Sequence, residues 1–123
     1  DERTQPRLAR VAPVNLAPLL DLVRDRPELR LQLLNPFRGP STDALVQLAA
    51  AGRVYVDIAN LETVGGVERL AERLPVERIL FGSHFPLFYW ESARLKLRES
   101  TLSREQLESI ANGARVLREM AGR

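Results

Sequence analysis

The chain carries one histidine, His84, in the stretch RILFGSHFP, residues 78–86. An apolar run stops there at Gly82 and Ser83, and Pro86 follows two residues later. Imidazole titrates near neutrality and can ligate a metal or carry a proton. A glycine just before it lets backbone approach closely. The plain alternative is a histidine hydrogen-bonded to a neighbouring carbonyl. Two further stretches end in the same manner. LRLQLLN (29–35) ends in Asn35, followed by Phe37 and Arg38. RVYVDIAN (53–60) contains Asp57 and ends in Asn60, followed by Glu62 and Thr63. Amides and carboxylates at such positions can orient a substrate, and the Arg38 fork suits a carboxylate. The same residue types also start ordinary turns. The register of Asp57, inward or outward, is open at this level.

The three stretches read as strands, and helical patterns separate them. Asn15 is placed to cap a helix over 16–25, with Pro18 in its first turn and Leu16, Leu19, Leu20 and Val23 as its apolar stripe. Ser41 or Thr42 caps a second helix, for which Gly52 is the natural C′ residue. In the second strand Val54, Val56 and Ile58 alternate with Tyr55, Asp57 and Ala59. A third helix follows over 67–74, with Val67, Leu70, Ala71 and Leu74 on one face. The third strand, 78–83, is almost wholly apolar and suits a sheet covered on both faces. A helix over 91–99 comes next. Ser103 and Gln106 then form a capping box for a final helix that Gly113 is placed to interrupt. Strands alternating with helices imply a parallel α/β sheet with right-handed crossovers. In such folds ligands bind at the carboxyl ends of the strands, where the polar residues above fall.

Composition excludes several classes. At 123 residues the chain is one domain's worth or less, and no apolar run nears the length of a membrane span. There are no cysteines, so thiolate chemistry, disulfides and zinc ribbons are excluded, which accords with a cytoplasmic setting. Of the 18 basic residues, 17 are arginine and one is Lys96. They interleave with 16 acids, which suits solvated helix faces with i,i+4 pairs and argues against a nucleic-acid surface. The fingerprints GxGxxG, GxSxG, HExxH and the P-loop are absent. Five of the seven aromatics lie in 81–90, as helix or subunit packing or as a substrate wall.

VERILFGSHFP, followed by a helix and LSREQLESIANGARVL, resembles the carboxyl end of the amidohydrolase-related family of metal-dependent (β/α)8 barrel hydrolases and decarboxylases. NGAR at 112–115 echoes that family's Gly-Asn-Ala-Arg-like run. The resemblance makes LRLQLLN and VYVDIANLE the sixth and seventh barrel strands, and the whole chain, 1–123, the C-terminal segment of one barrel domain of roughly 250 residues. It implies hydrolysis of an amide, lactone or ester bond of a small molecule, assisted by a divalent metal, zinc first. His84 would be a catalytic base or metal ligand, and Asn35, Arg38, Asn60 and Glu62 would bind substrate. The family's last-strand aspartate maps onto His84, and its sixth-strand histidine onto Asn35. A non-oxidative decarboxylase is the same-fold variant, and those departures motivate a metal-free barrel with a binding or scaffold role as the other alternative. The expected partners are the small-molecule substrate and a second copy of the chain, with no nucleic acid or membrane. The isolated segment is expected to be inactive.

Overall fold

Short runs with buried apolar residues, separated by helices, give a three-stranded parallel sheet. The computed structural model describes residues 14–38 and 41–122. The elements run α1 (Ala17–Asp25), β1 (Arg30–Leu33), α2 (Thr42–Ala51), β2 (Arg53–Asp57), α3 (Gly66–Ala71), β3 (Ile79–Leu80), α4 (Trp90–Arg98), α5 (Arg104–Ala111) and α6 (Gly113–Met120). Sheet order is β1-β2-β3, with Leu33 opposite Val56 and Asp57 opposite Leu80. The α/β class and the parallel sheet thus follow the sequence pattern.

The strands are shorter than their apolar runs. β3 pairs only at Ile79 and Leu80, because the Phe81 N–H turns to the Ile110 carbonyl of α5 at 2.9 Å instead of to β2. β2 ends at Asp57, and residues 58–61 close a turn through Leu61 N–H to Ile58 O. Ser41 is the cap of α2, accepting from Ala44 N–H at 3.2 Å. The Ser103–Gln106 capping box of α5 forms in both directions. The last helical stretch breaks at Asn112, so Gly113 begins α6. Gly52 differs from its expected role: its backbone is extended, not left-handed. A Cβ there would lie 2.3 Å from Val23 Cγ1, so close packing of α1 demands the glycine.

Both sheet faces are covered. Val54 packs with Val23 of α1 and Leu48 of α2. On the same face Val56, Ile58 and Ile79 pack with Val67, Leu70, Leu97 and Ile110 from α3, α4 and α5. Fully burying such a side chain contributes about 1.5–3 kcal/mol. The opposite face holds Tyr55 and Leu80 against Val116 of α6. Among the described residues no helix is long and apolar enough to cross a membrane.

Candidate functional site at the strand carboxyl ends

Each strand hands over to its loop through a residue that could do chemistry. Asn35 follows β1 and His84 follows β3. They are the non-glycine residues with positive φ among the described residues, at 52° and 56°. Left-handed backbone is costly for most side chains, though asparagine and histidine tolerate it better, and such strain tends to collect at functional positions.

Asp57 lies between them at the end of the central strand. It is 4% exposed. Its Oδ2 accepts the Asn35 N–H at 3.0 Å and its Oδ1 accepts the Ala59 N–H at 3.0 Å. A Cβ on Gly82 would sit 2.8 Å from Asp57 Cβ, so the β3 exit closes over this carboxylate only because residue 82 is glycine. Asp57 therefore ties the β1 exit to the turn after β2 and packs closely under the β3 exit. By strand alternation its side chain shares a face with Tyr55.

Lys96 reaches this region from α4. Its Nζ donates to Ala59 O at 2.9 Å and to Ile58 O at 3.3 Å, gripping the turn that ends β2. Partial burial pulls its ammonium below the ordinary lysine value, opposed by the negative charges of Glu62 and Asp57. Asn60, in the gripped turn, is 5% exposed, and neither its amide nitrogen nor its oxygen has a hydrogen-bond partner. Glu62 lies exposed beyond the turn.

The sequence candidates thus separate. Asn35 and His84 flank Asp57 on adjacent strand exits, Glu62 lies near Lys96, and Asn60 is sealed from solvent. Arg38 ends a short 3-10 turn over Pro36–Arg38, and its side chain lies outside the described residues. Lys96 is the addition, and Asp57, whose register the sequence left open, proves to be buried between the strand exits. The signal for Lys96 was its standing as the lone lysine among arginines. The His84 ring lies 5.4 Å from Phe88, tilted by 40°, while Phe85, Leu87 and Tyr89 are largely exposed beside it. Two surface grooves, of about 310 Å³ against α1 and about 280 Å³ on α4, have none of these residues in their walls.

Among the described residues no three His, Cys, Asp or Glu side chains stand close enough to share a metal ion. Asp57 already commits one oxygen to each of two backbone N–H groups. These residues therefore do not make a metal centre by themselves. No family model matches the chain, and no curated protein or solved structure matches it.

Proposed function

We propose that this chain is the C-terminal segment of an amidohydrolase-like (β/α)8 hydrolase that cleaves an amide, lactone or ester bond of a small molecule. One observation carries the reading: Asn35, Asp57 and His84 stand at the carboxyl ends of three adjacent parallel strands, two of them in strained backbone. Catalytic groups of barrel enzymes come from the ends of several different strands. The sequential order β1-β2-β3 also suits consecutive barrel strands.

In this reading His84 acts as general base. It takes a proton from water as the water oxygen attacks the substrate carbonyl, and returns it to the leaving nitrogen or oxygen as the bond breaks. Asn35 and Glu62 bind substrate from the neighbouring exits, with Arg38 on a substrate carboxylate. Asp57 positions Asn35 and does not touch substrate. Asn60 contacts a ligand only if the turn held by Lys96 opens. Were a zinc ion bound, His84 would serve as one of its ligands instead of as the base, with the other ligands from outside the described residues, and the metal would supply the activation of water. A closed barrel also turns the Tyr55 face inward, so α6 would leave Tyr55 and Leu80 in the longer protein.

The test is hydrolysis of an amide, lactone and ester panel by the full-length protein. His84→Ala should lose at least about a hundredfold in kcat with the fold intact, as expected for loss of a general base. Undiminished turnover in that variant removes His84 from the mechanism. An α6 still packed on Tyr55 in the full-length protein would overturn the barrel.

A further inference from the structure

The sheet face that carries Asp57 at one end carries arginines at the other. Arg30 and Arg53 open β1 and β2 and are direct Cα partners. Gln32 and Tyr55 are partners in the same ladder, two residues further along. Alternation puts all four side chains on one face. Arg78, just before β3, joins them from the neighbouring strand, its guanidinium 4.9 Å from the centre of the Tyr55 ring. The whole group spans about two strand spacings, roughly 10 Å.

Arg30 has a partner of its own, and the other four side chains offer donors. The side chains of Gln32, Arg53, Tyr55 and Arg78 make no hydrogen bond or ion pair with a described residue. Arg78 Nη1 is fully buried without an acceptor. Each guanidinium presents five N–H donors, the phenol one and the amide two. Asp57, on the same face, lies four residues from Arg53, about 13 Å along the strand. Its oxygens accept from backbone at the opposite end. Arg53 and Arg78 have no carboxylate partner among the described residues, and two such cations on one face repel each other unless an anion stands between them.

We propose that this amino-end face is a binding site for a phosphate group, either free or on a small phosphorylated molecule. Arg78 supplies the fixed part: its guanidinium lies over the Tyr55 ring with Nη1 buried, so its fork loses little freedom on binding. Arg53 is exposed and closes over the ligand from the central strand. A phosphate dianion matches the two uncompensated guanidinium charges and has oxygens enough for both forks, with the Tyr55 hydroxyl and the Gln32 amide as further donors. A monocarboxylate has half the charge and fewer acceptor oxygens. The site lies at the opposite end of the sheet from His84, and the inference does not rest on the barrel reading.

The test is titration of this chain with inorganic phosphate, and separately with phenyl phosphate, followed by calorimetry and 31P line broadening. Sodium chloride and acetate at matched ionic strength are the comparators. Saturable binding of either phosphate compound is expected, with the tighter one showing whether the free anion or an ester is preferred. Arg53→Gln together with Arg78→Gln should weaken it at least about tenfold, the loss of charge-assisted hydrogen bonds. Arg73→Gln, on a guanidinium paired with Asp43 elsewhere, should leave it unchanged. Arg53→Gln alone keeps the test alive should the Arg78 variant fail to fold, because Arg53 is exposed. Phosphate binding no stronger than that of chloride, or unmoved by loss of Arg53, overturns the proposal.

Discussion

The Asp57 carboxylate accepts the backbone N–H of Asn35, 22 residues earlier, at 3.0 Å. One buried side chain on the central strand thereby fixes the left-handed turn that leaves the neighbouring strand. Its other oxygen stays local, on the Ala59 N–H.

Removing that carboxylate should be expensive. Asp57→Ala leaves two N–H groups without their acceptor, one of them buried. Hydrogen bonds to a charged group contribute about 1.5–3 kcal/mol each, so a loss of about 3–6 kcal/mol is expected in urea unfolding. Asp57→Asn, which keeps one acceptor oxygen, should cost less. Amide exchange at Asn35 should quicken in both variants, and unchanged exchange there would mean that Asp57 does not hold the turn.

Gly82→Ala tests the packing over Asp57. The added Cβ would sit 2.8 Å from Asp57 Cβ and 2.9 Å from its carboxyl carbon. Neither neighbour is the free end of a flexible chain. Overpacking of this kind costs about 1–3 kcal/mol. A neutral result would show that the β3 exit can move away from β2.

At the left-handed positions the sign should reverse. Asn35→Gly and His84→Gly relieve positive φ, at 52° and 56°. Each should be stability-neutral or gain up to about 1 kcal/mol despite the greater freedom of an unfolded glycine. Asn35→Val should lose about 1–2 kcal/mol, since a β-branched residue resists this conformation most. A valine as stable as asparagine there would argue against the strained turn.

Lys96 predicts an alkaline dependence. Its folded value lies below the ordinary one, chiefly because burial penalises the charged form. Between those two values the unfolded chain binds more protons than the folded one, so stability rises with pH across that window. Below the lowered value the whole penalty on the ammonium is present. Wild type should therefore gain stability relative to Lys96→Met as pH climbs toward the ordinary lysine value. Parallel pH profiles of unfolding for the two proteins would remove burial of Lys96 as the cause.

Among the described residues β1 and β3 each have one strand neighbour, so two parallel edges have no strand partner there. Exposed edges invite pairing with other chains. The chain should associate as its concentration rises, read by light scattering or sedimentation. A monomer at every concentration, with sharp two-state unfolding, would show that its edges are protected.

Much of this architecture is written in short spacings. The period-2 run of residues 53–57 specifies which side of β2 meets α2 and α3, and the Ser103–Gln106 pair specifies where α5 starts. Both signals act within a few residues, where side chain and backbone are neighbours by covalent geometry alone. The sequence also limits the candidate chemistry to the few polar residues at three strand ends, because only there does a parallel sheet leave polar groups beside open backbone. The tertiary structure decides the rest. Nothing in the spacing of Asp57 and Asn35 says that one accepts from the other. Lys96 lies 38 residues from the Ile58 carbonyl it holds, brought there by the docking of α4. The early end of β3 depends on α5 offering the Ile110 carbonyl to Phe81. The donor-rich face of Gln32, Arg53, Tyr55 and Arg78 exists only once strand register sets three chain segments side by side. Contacts of that kind depend on the packing of whole elements, whose positions no local pattern encodes.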